Sequence, residues 1–144
     1  MDRKTQLETW LKQVLATQIF TLTTASADAS FRRYFRVHVA GNTLIAMDAP
    51  PPQEDCTPFV NIAKQFLDAG LNVPKIIAQD LSNGFLLLSD LGDDTYLQHL
   101  NNETAKMLYL DATNALIKLQ LASKSHDLPP YDEALLTREM QLFW

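Results

Sequence analysis

Apolar residues recur at helical spacing at Leu7, Trp10, Leu11, Val14 and Leu15, which predicts an amphipathic helix over about residues 3–17. The pattern then changes period. Phe20 to Ala25 and Phe31 to Val39 are rich in β-branched and aromatic residues and read as two strands. They are joined by Ser26-Ala27-Asp28-Ala29-Ser30, a run of small and polar turn formers. Ala40-Gly41-Asn42 reads as a hairpin turn and Thr43 to Asp48 as a third strand, stopped by Pro50-Pro51-Pro52. A helix is predicted next, with Glu54 and Asp55 in its first turn, where the helix dipole favours negative charge. Phe59, Ile62, Ala63, Phe66 and Leu67 form its apolar stripe and Gly70 its C-terminal stop. Lys75 to Asp80 and Phe85 to Ser89 read as a hairpin around Ser82-Asn83-Gly84. Beyond it the period is helical only. A short helix is predicted at Tyr96 to Leu100 and a long one at Glu103 to Ala122, striped by Ala105, Leu108, Tyr109, Ala112, Ala115, Leu116 and Leu119. A last amphipathic run begins near Asp132, after Pro129-Pro130.

Strands first and helices later indicate an α+β fold rather than alternating βαβ units. Five antiparallel strands with one helix after the third resemble the protein-kinase-like small lobe, followed by the first helices of a large lobe. The expected division is residues 1–88 for the N-terminal lobe, 89–94 for a hinge, and 95–144 for the start of a helical lobe. Leu142-Phe143-Trp144 ends the chain on large apolar side chains, where termini are ordinarily polar, so a chain cut mid-fold is expected. An incomplete lobe would leave the 103–122 stripe exposed, and self-association is expected from that surface.

Composition narrows the function classes. The 144 residues carry 12 Lys+Arg against 17 Asp+Glu, a net charge of −5, which argues against non-specific nucleic-acid binding. No apolar run approaches the roughly 18 residues of a membrane span. A single cysteine excludes an internal disulfide framework. With polar opening residues in place of an apolar signal block, a cytoplasmic location is expected, without nucleic-acid or membrane partners. The charge is unevenly placed. Between Gln13 and Met47 three arginines face one aspartate; between Asp80 and Asp111 six carboxylates face one lysine.

Chemistry concentrates in three segments. A loop of small residues, Asp28-Ala29-Ser30, leads into Phe31-Arg32-Arg33-Tyr34-Phe35-Arg36. Alternation puts Arg32, Tyr34, Arg36 and His38 on one strand face and Phe31, Arg33, Phe35 and Val37 on the other. Backbone amides of small residues and arginine forks suit an anion such as a phosphate, and a solvated basic face fits the same pattern. The third strand, Thr-Leu-Ile-Ala-Met-Asp, lacks the lysine that kinases place there. Either the site is not a kinase site, or Arg33 or Arg36 takes over, with Asp48 as an anchor for one of them or as a strand-end turn residue. Phe85 to Gly92 is an apolar strand entering a connector. Ser89 to Leu91 could offer an adenine ring a flat slot and backbone groups, or be a buried strand followed by a turn. His38, His99, His126 and Cys56 have no partners at catalytic spacing, and no Ser/His/Asp arrangement is present.

Asp28 through Arg36, Met47-Asp48-Ala49-Pro50-Pro51, Glu54-Asp55 with Phe59, Asn72 through Ile76, Phe85 through Gly92, and Leu128 through Asp132 together resemble the aminoglycoside phosphotransferase/choline kinase-like superfamily. Within it the combination is most similar to bacterial anomeric kinases that phosphorylate N-acetylmuramate and N-acetylglucosamine at C1 in cell-wall recycling. The resemblance implies an ATP-dependent phosphotransferase using Mg²⁺, with nucleotide and amino-sugar partners. It makes Ser30, Phe31, Arg32, Arg33, Arg36, Met47, Asp48, Ser89, Asp90 and Leu91 the candidate nucleotide-binding residues. The superfamily's catalytic loop, His-x-Asp followed by Asn, and its later metal-binding Asp do not occur in the chain. No catalytic residue and no metal ligand is therefore expected in it, and the chain alone is expected to be inactive. An aminoglycoside or other small-alcohol kinase of the same superfamily is the alternative within the class, and a non-catalytic kinase-like interaction module the alternative outside it.

Overall fold

The computed structural model describes residues 2–27, 31–124, 128 and 130–143. Helix α1 (Arg3–Val14) is capped by Asp2, whose carboxylate accepts from the Thr5 amide at 3.1 Å. It ends three residues before the predicted boundary because Ala16 takes a left-handed φ of 51°, which closes the helix. Strands β1 (Thr21–Ala27), β2 (Arg33–Val39) and β3 (Asn42–Asp48) form an antiparallel meander. Ala40 and Gly41, both at positive φ, make the two-residue turn between β2 and β3. Helix α2 (Thr57–Asp68) follows, then the hairpin β4 (Ile76–Asp80) and β5 (Phe85–Ser89). The sheet order is β1-β2-β3-β5-β4, antiparallel throughout, which is the five-stranded α+β plan expected of a kinase-like small lobe. The helices α3 (Tyr96–His99), α4 (Ala105–Ala122) and α5 (Glu133–Met140) come after it, the last continued by a 3₁₀ turn over Gln141–Phe143.

Helix α2 starts later than its acidic residues suggest. Pro58 occupies its first turn, and Glu54 and Asp55 stay in the preceding loop, where Asp55 accepts from the Thr57 amide at 2.8 Å. Gly70, at φ +76°, terminates the helix as predicted.

The sheet is covered on both faces. On the outer face Leu7 and Leu11 of α1 pack with Val37, Ala46, Phe85 and Leu87. On the inner face Met47, Ala49, Leu86 and Leu88 pack with Cys56, and Phe59 and Val60 of α2 lie against them. Each such Leu or Phe contributes about 1.5–3 kcal/mol relative to exposure, so the two clusters account for most of the apolar stabilisation. Among the described residues every buried apolar side chain lies between Leu7 and Leu88. The stripe predicted on α4 exists in the sequence, but the helix carries no buried residue, and Tyr109 and Leu116 are exposed. Among the described residues no helix is long and apolar enough to cross a membrane.

Candidate functional site

Alternation along β2 divides its arginines between the two faces. Arg33 turns outward with Phe35 and Val37. There it donates to the carboxylate of Asp48, its cross-strand neighbour on β3. Asp48 is fully buried and also accepts from two nitrogens of Arg3, one of them at 3.1 Å. The Arg3 guanidinium lies 4.5 Å from the centroid of the Phe85 ring and donates at 2.8 Å to the carbonyl of Asn83. This group therefore pins the first turn of α1 to three strands. Asp48 is an arginine anchor, but for a contact between a helix and the sheet.

The inner face presents Arg32, Tyr34 and Arg36. Arg36 reaches the connector after β5: its Nε donates to Asp90 at 2.6 Å, and its Nη1 and Nη2 donate to Asp93 at 2.6 and 2.7 Å. Asp90 also accepts from the Gly92 amide at 2.9 Å, which folds the connector into a tight turn. The Arg36 guanidinium, aided by that amide, holds the Asp90 carboxyl at about 2, and it also lowers the pKa of Asp93. The latch is therefore fully ionised at neutral pH.

Beside the latch lies a cavity of about 430 Å³. Tyr34 and Arg36 of β2, Ile45 of β3, Phe59 of α2 and Leu88 of β5 wall it, and Ser89 through Thr95 form its rim. The last ladder pairs of β5 are Leu44 with Ser89 and Ile76 with Leu88, so Asp90 and Leu91 leave the sheet at the rim of the cavity. Ser89 is tied to β4: its amide donates to the Lys75 carbonyl at 2.9 Å, and its hydroxyl accepts from the Lys75 amide at 2.8 Å. An apolar slot, a short segment of released backbone and a charged edge can receive a flat heterocycle carrying polar substituents.

At the far end of the same β2 face, Arg32 donates to Glu54 at 2.9 Å, and the Phe31 amide donates to the other oxygen of Glu54 at 3.2 Å. The loop before α2 is thereby fastened to the start of β2.

The structure thus gathers Arg36, Ser89, Asp90 and Leu91 around one cavity, with Arg32 and the exposed Phe31 at the opposite end of the inner face. Met47 faces inward but is fully buried in the packing beneath α2 and does not line the cavity. Arg33 and Asp48 lie on the outer face, and Ser30 lies outside the described residues. Tyr34, Ile45, Phe59 and Asp93 were not singled out as site residues. Strand parity could have found Tyr34, which shares a face with Arg36. Nothing local in the sequence marks Arg3 as a partner of a residue 45 positions away.

A five-stranded sheet with a cavity between its inner face and the connector after its last strand is the architecture of kinase-like phosphotransferases. Residues 21–143 match the phosphotransferase enzyme family, and the chain belongs to that family. It is 57% identical over 119 residues to the N-acetylmuramate/N-acetylglucosamine kinase of Pseudomonas aeruginosa, covering 83% of this chain and 35% of that protein. It is 54% identical over 123 residues to the protein of the same name from Pseudomonas putida, covering 85% of this chain and 36% of that protein. The Neisseria meningitidis protein of that name is 40% identical over 148 residues, with 99% and 44% covered. The chain therefore spans less than half the length of these relatives.

Proposed function

We propose that these 144 residues form the nucleotide-binding part of an ATP-dependent sugar kinase that phosphorylates C1 of N-acetylmuramate or N-acetylglucosamine. The relatives' names support the acceptor. The observation that carries the nucleotide reading is the inner-face cavity, with its rim locked to β2 by Arg36. The residues fit adenine: Ile45, Leu88 and Phe59 supply apolar walls, and the backbone of Asp90 and Leu91 supplies a polar edge beyond the last ladder pairs. Residues 1–88 act as the small lobe, 89–94 as the hinge and 95–144 as the entry to the helical lobe.

In this reading the chain binds and orients. The cavity withdraws the base from water, and the latch fixes the hinge before the nucleotide arrives, which lowers the ordering cost of binding. Phosphoryl transfer depends mainly on positioning and on neutralising charge, and Mg²⁺ supplies part of that neutralisation when bound. Its ligands, and the carboxylate that orients the acceptor hydroxyl, are assigned to sequence outside these 144 residues. The chain by itself is expected to bind ATP without turning it over.

Titration of the chain with Mg-ATP, followed by thermal shift and by calorimetry, tests this. Saturable binding at millimolar ATP or below, with no ADP formed in the presence of N-acetylmuramate, is the expected result. A folded chain that shows no binding at millimolar ATP removes the proposal.

A further inference from the structure

Kinases neutralise the phosphates next to the sheet with a third-strand lysine paired to an acidic residue on the following helix. In this chain the inward-facing residue near the end of that strand is Met47. It is fully buried among Ala49, Cys56, Leu86 and Leu88, so no charged head group occupies the position. Another cation has to serve the phosphate end of the cleft.

The placement of the basic side chains singles one out. Arg33 is on the outer face, joined to Asp48 under α1. Arg36 is on the inner face, but its guanidinium is engaged by Asp90 and Asp93 at the hinge, the base end of the cavity. Lys64 and Lys75 face a separate groove between α2 and β4. Arg32 remains. It shares the inner face with Tyr34 and Arg36 and lies four residues from Arg36, about 13 Å along an extended strand. That separation is comparable to the reach of a nucleotide from its base to its terminal phosphates.

Arg32 is also held as the kinase lysine is held. Its partner Glu54 sits just before α2 and is only 11% exposed, and its second oxygen is fixed by the Phe31 amide. A carboxylate secured at both oxygens keeps the guanidinium extended and still charged. We infer that the Arg32–Glu54 pair replaces the third-strand lysine pair, with Arg32 as the cation that contacts the triphosphate. This rests on the nucleotide reading above and adds a division of roles: Arg36 shapes the base end and Arg32 reads the phosphate end.

The division predicts a split between ligands that differ only in phosphate. ATP and adenosine are titrated into the unaltered chain, Arg32→Met and Glu54→Gln, each checked by circular dichroism for its fold. Arg32→Met is expected to weaken ATP roughly ten- to a hundredfold, the range for a lost charge-assisted contact, and to leave adenosine affinity unchanged. Glu54→Gln is expected to weaken ATP by a smaller factor, again without changing adenosine. If ATP affinity is unchanged in Arg32→Met, or falls together with that of adenosine, the assignment is overturned while the nucleotide reading stands. If the unaltered chain binds neither ligand, both fall. Should Arg32→Met fail to fold, Glu54→Gln decides alone: a loss confined to ATP supports the pair, and unchanged ATP affinity overturns it.

Discussion

The two faces of the sheet use the same chemistry for different ends. On the outer face the carboxylate of Asp48 is fully buried, and Arg3 and Arg33 close over it beneath α1. On the inner face Arg36 meets Asp90 and Asp93 at the rim of a cavity, and Asp93 remains largely open to water. Arg33 and Arg36 stand three residues apart on one strand, and the parity of the pleat alone separates them. A buried carboxylate in a packed layer has no solvent to fall back on, so its partners are structural. A pair at the edge of a cavity costs less to disturb and can respond to a ligand. Function should therefore follow the inner pairs and stability the outer one.

The largest effect expected from breaking this contrast is at Asp48. Asp48→Ala leaves Arg3 and Arg33 without their common acceptor and should cost about 3 kcal/mol of unfolding free energy, measured by urea denaturation. Adenosine affinity of the folded protein should be unchanged. A variant of normal stability that has lost nucleotide binding would place the outer face in the site. A comparable loss, about 2–3 kcal/mol, is expected for Gly84→Ala. Gly84 has φ +70°, and an added Cβ would lie 1.9 Å from the Ala49 carbonyl oxygen. The Ala49 amide donates to the Gly84 carbonyl at 2.8 Å, so the clash would also break the contact that joins the β4–β5 turn to the end of β3. An unchanged urea midpoint in this variant would show that the two segments separate at little cost.

Arg36→Met should have the opposite profile to Asp48→Ala. The Asp90 side chain is only 5% exposed while Asp93 is open to water, so the urea midpoint should fall, but by less than in Asp48→Ala. Release of the connector should nevertheless weaken ATP and adenosine alike, by roughly tenfold, or about 1.4 kcal/mol. Isothermal titration with both ligands separates this from the phosphate-selective loss expected at Arg32. If Arg36→Met weakens ATP alone, the base and phosphate ends have been assigned the wrong way round.

How much of this could be read from the chain depended on how local each cause was. The strands and the stop at Gly70 are set by residues within a few positions of one another and fell within about two residues of expectation. Strand β1 runs on to Ala27, and the turn expected over Ala40-Gly41-Asn42 narrows to Ala40-Gly41 because Asn42 opens β3. The split of the β2 arginines was legible for the same reason. What alternation could not supply was which face α1 would cover, because that depends on Arg3 meeting Asp48 and Phe85 across the fold. Glu54 was misread as a residue of the first helical turn. The pull of Arg32 and of the Phe31 amide keeps it in the loop, and Pro58 begins the helix after it. The connector after β5 was legible as a turn from its small residues and Gly92. Its latch was not, since Arg36 and Asp90 are 54 residues apart.

The smallest effect expected is a flat one, and it tests the ionisation of the latch. Asp90 is held at about 2 in the folded chain, chiefly by the hydrogen bonds from Arg36, against about 3.9 when unfolded. A depressed carboxylate pKa contributes stability that is fully present above the unfolded value and lost as pH falls through the folded one. The stability difference between the unaltered chain and Arg36→Met should therefore be constant from pH 5 to pH 8 and shrink only below about pH 4. Urea unfolding of both proteins at half-unit pH intervals measures it. Asp93, whose pKa is lowered by the same arginine, shifts in the same direction and adds to the low-pH loss. Asp90→Asn should abolish most of the pH dependence below pH 4. If the difference instead changes between pH 6 and pH 7, the ionisation of Asp90 does not set it.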